Sequence, residues 1–231
     1  MSIHDEQGTI RRYIQSTLDW AYERQLSAEI DSDFRAFDRA QRSLDGGYRE
    51  NFNPAFDYRY NRLDWSNAVY LHFVDENGRI VGQVAAKLLP ELSSLYEIYE
   101  SERFWFCNRR PPGDPIVEML SDGTKQLTGL MSTSGSLWVA RDWRKTGLSR
   151  RLAMMARAMM MKNFPVVRHT TMVKQALYEA GMAQTYQHTH AELSLRLTNF
   201  GYDMHTLWTE REQALELFSR VEVRAPAALA A

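Results

Sequence analysis

Apolar and polar positions alternate along this chain in blocks that change period. From Thr17 to about Leu44, Leu18, Ala21, Tyr22, Leu26, Ile30, Phe34, Phe37 and Ala40 recur at three- and four-residue steps, which predicts helix. Gly46, Gly47, Asn53 and Pro54 then break the pattern. The aromatics of that loop (Tyr48, Phe52, Phe56, Tyr58, Tyr60, Trp65) suit a packed lid better than a ligand platform. Two β-prone runs follow, Ala68–Val74 and Ile80–Leu89, separated by Glu76-Asn77-Gly78. An Asn-Gly pair tolerates positive φ, so a hairpin is predicted. Gly82 inside the second run marks a bulge or a close backbone approach.

Residues 90–130 read less clearly. "LSSLYEIYESERFWF" is helical with an aromatic face, "CNRRPPGDP" is a breaker, and "IVEMLSDGTKQLTGL" fits a short helix or strand pieces. Leu137–Ala140 is a strand that runs through a basic turn into an Ala/Met/Leu helix reaching Phe164, with Leu152, Met155, Ala156 and Met159 on one stripe. Val166–Val173 is a buried strand, and "KQALYEAGMAQTYQH" is helical with a weak point at Gly181. "AELSLRLT" and "DMHTLWT" form a second hairpin about Asn199–Tyr202; "EREQALELFSRV" is a short helix, and 222–231 is a flexible tail. Without a linker or repeat, residues 1–231 are expected to form one α/β domain, a mixed β-sheet with helices on both faces.

Composition narrows the partners. The net charge of −1 gives no global attraction to nucleic acid or anionic membrane, and basic character is local to Arg141, Arg144, Lys145, Arg150 and Arg151. Cys107 is the only cysteine, which excludes an internal disulfide or a Cys-rich zinc site. The polar start "MSIHDEQGTIRRYIQ" lacks a signal-peptide core, and no apolar run is long enough to span a bilayer, so a cytoplasmic protein without membrane contact is expected.

The strand-to-helix junction carries the chemistry. Helix-start amides are unpaired and sit at the positive dipole end, Gly147 allows close approach, and Arg144 and Lys145 add charge, so the turn suits an anion such as a phosphate. "RKTGLSRRLAMMA" also mimics a helix-turn-helix, but the run before Trp143 is β-like and the chain is not basic, so nucleic acid is not expected. His188, His190 and Glu192 have a spacing that can bind metal; such pairs are commoner as surface residues, and no metal is expected.

Arg144-Lys145-Thr146-Gly147-Leu148-Ser149 resembles the pyrophosphate-binding signature of the GNAT acyltransferase superfamily, with Ser149 where Gly or Ala is usual. The Asn77-Gly78 hairpin and the element order after Val166 resemble that family too, over roughly residues 15–89 and 130–220, leaving 90–130 as an insertion between the third and fourth strands. The resemblance implies an N-acyltransferase. Acetyl-CoA would be the acyl donor, held by Leu137, Trp138, Val139, Ala140 and Arg144 to Ser149. Leu137–Ala140 and Val166–Val173 would be the splayed parallel strands. The acceptor would be a small-molecule or peptide amine. Tyr178 and Tyr186 are the candidate acids and Glu118 and His169 the candidate bases. "ALYEAGM" places Tyr178 one residue nearer the glycine than the family's usual tyrosine. An acyl-CoA-binding module without catalysis is the alternative, and a homodimer through the end hairpin is an expectation.

Overall fold

The computed structural model describes residues 3–44, 53–91, 94–108, 110, 111, 113 and 116–220. Gly46, Gly47, Tyr48, Phe52 and the 222–231 tail lie outside them. Chain order gives α1 (Ile3–Tyr22), β1 (Ser27–Asp31), α2 (Phe34–Ser43), β2 (Ala68–Val74), β3 (Ile80–Leu88), α3 (Leu95–Glu100) and β4 (Val117–Met119). Then come β5 (Met131–Val139), α4 (Leu148–Asn163), β6 (Arg168–Lys174), α5 (Gln175–Glu179), α6 (Met182–Thr185), β7 (His190–Leu197), β8 (Tyr202–Glu210) and α7 (Arg211–Ser219). The eight strands form one sheet in the order β1-β2-β3-β5-β6-β8-β7-β4. Every pairing is antiparallel except β5 with β6, which α4 connects.

Local chemistry explains most boundaries. The β2–β3 turn closes because the Asp75 carboxylate accepts the amides of Asn77 and Arg79, both at 3.0 Å, while Gly78 takes φ 77°. Asp33 caps α2 by accepting the amides of Arg35 and Ala36. Register shifts where Phe73 and Val74 oppose Gly82 and Ile80, so the bulge expected at Gly82 is present. The backbone approach is also close, since a Cβ on Gly82 would lie 3.0 Å from side-chain carbons of both Leu148 and Leu152. The 175–188 segment breaks at Gly181, in the left-handed region at φ 83°.

Two expectations are corrected. The helical pattern of 17–44 hides β1: Gln25, at φ 59°, ends the turn after α1, and Ser27–Asp31 form an edge strand beside β2. That strand is exposed on both sides apart from half-buried Ala28, so it lacks the two-residue alternation that would reveal it. The strand feeding the basic turn begins at Met131, six residues before Leu137, because Ser132, Thr133, Ser134 and Ser136 are buried polar residues rather than a loop. Within 90–130 the strand alternative holds at Val117–Met119, which pairs with β7 at the far edge of the sheet.

Two cores sandwich the sheet. On one face α2, α3 and the turn Pro54–Phe56 bury Phe34, Phe37, Phe56, Tyr70, Ile98, Tyr99 and Trp105. On the other, α1 and α4 cover Leu71, Phe73, Val84 and Val139 with Leu148, Leu152, Met155 and Met159, and α7 extends the layer. The methionines fill an irregular space between helix and twisted sheet. A Cβ on Gly135 would lie 2.8 Å from the Phe56 ring and 2.9 Å from Asn53 Nδ2, so the turn Pro54–Phe56 packs directly on β5.

Buried polar groups pin the layers. Lys87 is buried in the first face and donates to the Phe104 carbonyl at 2.8 Å and to Asn61 Oδ1 at 3.1 Å; burial pushes its ammonium down to about 8. Arg157 is buried in the second face, donates to the Tyr186 and Gln187 carbonyls at 3.1 Å each, and is pushed down to about 10 by burial. His169 sits between Ser132 Oγ (2.8 Å) and Ser134 Oγ (3.0 Å). Burial first, and the Arg157 charge second, hold its imidazole neutral well below the usual range.

Gly135→Val should lower unfolding stability by about 1–3 kcal/mol in urea titration, because the Phe56 turn must move. An unchanged midpoint would contradict the packing. Because folded His169 refuses a proton that the unfolded chain accepts below about pH 6.5, its contribution is complete above that pH and is lost as pH falls toward the folded value. Urea midpoints at pH 7 and 5 should therefore differ less in His169→Gln than in the parent chain, by up to about 1.4 kcal/mol per pH unit.

Candidate active site

The site forms where β5 ends. After Val139 the chain makes a short 3-10 turn, Arg141–Trp143, then passes Lys145 at φ 66° and Gly147 at φ 87° before α4 begins at Leu148. Arg79, from the β2–β3 turn, reaches Asp142 at 2.6 Å, and the Thr146 hydroxyl donates to the Trp143 carbonyl at 2.7 Å. These contacts hold the loop without consuming its amides. Among the described residues, no acceptor meets the amides of Lys145, Thr146 or Gly147. Those of Leu148, Ser149 and Arg150 open the helix, and the first return bond runs from the Arg151 amide to the Gly147 carbonyl at 3.2 Å. Nothing lies within 4 Å of the position a Gly147 Cβ would take. The result is a cluster of outward amides at the positive end of a sixteen-residue helix.

Arg141, Arg144, Lys145 and Arg150 are exposed around this loop. Arg144 Nε also donates to the Val139 carbonyl at 3.4 Å, bracing the end of β5. Arg151 is committed elsewhere, with its guanidinium 4.4 Å from the centre of the Trp20 ring.

Behind the loop the parallel strands part. β5 and β6 pair only from Met131 with Arg168 to Ser134 with Thr171. Beyond that, β5 still pairs with β3 through Trp138 and Val139, while β6 still pairs with β8 through Lys174. The separation follows a bulge: the β3–β5 register shifts between Gln83 and Ala85, and Ser136 adopts φ 51°. From Gly135 to Val139 the β6-facing side of the β5 backbone therefore borders a gap rather than a strand.

The four acid–base candidates fall in different places. Tyr178 packs beside Leu137, Ala153 and Val173 at this gap, with its ring stacked on His205 at 3.9 Å. Tyr186 belongs to the same cluster, and burial pushes its phenol up to about 12. Glu118 is not brought to the gap. It lies on β4, three places beyond β6 in the sheet, exposed and 3.8 Å from Arg196. His169 lies in the paired half of the strands, enclosed by its two serines. The metal-spaced trio also separates: His188 contacts Arg157, His190 stacks on Trp208, and Glu192 accepts from Ser121 and Gly123. Among the described residues, no group of three such side chains could hold a metal ion, and no helix is long and apolar enough to cross a membrane.

On the face opposite α4, an open cleft of about 1010 Å³ runs between the end of α2 (Ser43, Leu44), the hairpin (Arg79, Ile80) and Trp138 to Arg144. Buried polar side chains that the sequence pattern did not single out include Gln41, His72, Gln83 and Ser136. Burial pushes the His72 imidazole down to about 4, partly offset by the Gln83 carboxamide beside it. A lone polar residue inside an apolar run such as "AVYLHFV" reads as core, so only the fold shows that His72 lies opposite Gln83 and that Gln83 donates to the Ser136 carbonyl.

No family model and no curated protein matches the sequence. Among solved structures, the chain is similar to NAA60 of Arabidopsis thaliana in complex with acetyl-CoA, at 11% identity over 80% of this chain and 98% of that one, with a TM-score of 0.44. It is also similar to the GNAT family N-acetyltransferase YhbS from Escherichia coli in complex with CoA, at 15% identity over 83% and 84% of the two chains, TM-score 0.43. A third is spermidine N-acetyltransferase from Vibrio cholerae in complex with CoA and spermine, at 9% identity over 83% and 98%, TM-score 0.42. By its own strand order, single parallel pair and β5–α4 junction, the chain has the mixed, helix-flanked sheet that the GNAT resemblance implies.

Proposed function

We propose that this chain is a GNAT-type N-acyltransferase that moves an acetyl or other short acyl group from acyl-CoA to a small-molecule or peptide amine. The observation that carries the reading is the end of β5–β6 pairing at Ser134 and Thr171, next to the open amides of 145–150. A diphosphate fits the loop because free amides, a helix dipole and exposed Arg144 and Lys145 all favour negative charge there. The pantetheine arm, an amide-bearing extended chain, then has the unpaired β5 edge from Gly135 to Val139 as a hydrogen-bonding partner.

The thioester would sit in the gap, near the bulge at Ser136. A free amine arriving from the cleft beside Trp138 attacks the thioester carbonyl, and a β5 amide facing the gap donates to the developing oxyanion. The amine sheds its extra proton to solvent in the cleft, since neither Glu118 nor His169 faces the gap. As the tetrahedral intermediate collapses, the carbon–sulfur bond breaks and the CoA thiolate takes a proton. Tyr186, which burial keeps protonated at neutral pH, and Tyr178 both stand on the α4 side of the gap, so either can supply it. The alternative is a fold of this kind that binds acyl-CoA without turnover.

Acetyl-CoA should raise the melting temperature and protect the amides of Arg144–Ser149 from hydrogen exchange. Gly147→Trp should abolish both effects while leaving the circular dichroism spectrum intact, and undiminished binding in that folded variant would overturn the reading. With an amine acceptor in a thiol-release assay, replacement of the acid by Phe should lower kcat about 10²–10⁴-fold with little change in acetyl-CoA affinity. Comparing Tyr178→Phe with Tyr186→Phe identifies which tyrosine acts; if neither variant slows turnover, the acid assignment fails.

A further inference from the structure

Tyr178 stands on a support too short to orient it. α5 is five residues long, follows β6 without a loop and stops just before Gly181, which takes φ 83°. A single turn of helix has no cooperative stability of its own, so a group outside α5 must fix where the phenol points. The contact that does so is a stack on His205, with ring centres 3.9 Å apart and planes 10° from parallel.

His205 is built to be that anchor. It lies inside β8, opposite Val173 of β6 and Leu193 of β7, so two strands hold its backbone. Its ring is pinned as well. His205 Nε2 donates to Gln175 Oε1, and Gln175 Nε2 donates to Glu179 Oε1 at 2.6 Å. An ionised carboxylate can only accept, which sets the Gln175 amide, and the amide oxygen in turn sets the imidazole tautomer. Burial, against the smaller pull of the Glu179 charge, favours the neutral ring.

The arrangement leaves Nδ1 bare. That atom is buried without a hydrogen-bond partner, in a residue 7% exposed. Phenylalanine or leucine would fill the same space with no unmatched nitrogen, so packing alone does not account for a histidine. The bond to Gln175 does, because it fixes the plane on which the Tyr178 ring lies.

We propose that His205 is a positioning residue for the acid that protonates the departing CoA thiolate, holding the Tyr178 ring at the β5–β6 gap through the Glu179–Gln175–His205 chain. The inference rests on the acyl-transfer reading and assigns the acid to Tyr178, which is half-buried, rather than to the buried Tyr186. As the carbon–sulfur bond breaks, the Tyr178 hydroxyl proton passes to the CoA sulfur, and the tyrosinate regains a proton from solvent. His205 neither gives nor takes one.

The test uses the full chain with acetyl-CoA and hydroxylamine, an amine small enough to need no acceptor subsite. Loss of the thioester absorbance is followed against the enzyme-free rate. His205→Ala should lower kcat about tenfold with KM for acetyl-CoA unchanged, since misplacing a reacting group costs rate rather than affinity. His205→Phe should restore most of that loss, because it keeps a flat ring against the phenol and has no polar atom to turn it away. Gln175→Leu lies outside the sheet and should lower kcat in the same direction, which decides the matter where a β8 variant does not fold. In a Tyr178→Phe background none of these changes should slow turnover further. Equal losses with and without Tyr178, as a role confined to packing predicts, overturn the inference. So does unimpaired turnover in Tyr178→Phe, or in both His205→Ala and Gln175→Leu, and these outcomes leave the acyl-transfer reading standing. A parent chain no faster than the enzyme-free reaction overturns that reading and this inference with it.

Discussion

Every feature of the candidate site depends on β5 and β6 being held together at one end and apart at the other. The closed end is riveted by short polar side chains. The Thr170 hydroxyl donates to the Ser132 carbonyl at 3.2 Å, Thr171 donates to the Ser134 carbonyl at 2.8 Å, and His169 bridges Ser132 and Ser134. Small hydroxyl residues allow this density of cross-strand bonds inside a sheet buried on both faces, where Val or Ile would offer only packing. At the open end, the left-handed Ser136 turns β5 while β3 continues to hold it, and β6 stays with β8. Neither strand can close the gap without giving up an antiparallel partner.

Two buried cations stabilise the margins of that gap in the same way. Arg157 and Lys87 both bind backbone carbonyls, and no carboxylate pairs with either among the described residues. Arg157 ties the carbonyls of Tyr186 and Gln187 to α4, which fixes the segment carrying Tyr186 against the helix. Lys87 ties Asn61 and Phe104 to β3, which fixes the loop packed over Gly135. Removing either side chain would strand desolvated carbonyls, a larger loss than the modest net value of a hydrogen bond suggests. Fully buried charge is thus used to anchor loops on both faces of one strand gap.

Local signals revealed what local chemistry controls. Asn77-Gly78, the stripe of α4, the break at Gly181 and the closing hairpin each follow from residues within one or two turns of one another. What stayed hidden was set by distant partners. β1 has no alternation because its faces are nearly all solvent, and the first half of β5 reads as polar because its hydroxyls find partners 35 or more residues away. Glu118 precedes β5 in the sequence, yet the three residues of β4 pair with β7, away from β5 in the sheet. The β5–α4 loop was visible because it is built from backbone amides and a contiguous motif. The contacts among His72, Gln83 and Ser136 were not, since these are single polar residues on three separate strands.

The electrostatic division of the molecule follows the same geometry. Around the β5–α4 loop the exposed side chains are cationic, and the helix end adds a positive potential, which suits a polyanionic donor. On the other face burial, and after it the charges of Asp31, Asp33 and Glu29, raise the Tyr70 phenol. On the reading proposed above, an amine entering by the cleft beside Trp138 passes Arg79, Arg141 and Arg144, whose charges favour its neutral form, the form that attacks the thioester. On that reading direct transfer needs no covalent enzyme intermediate, because donor and acceptor meet only where the β5 backbone is unpaired.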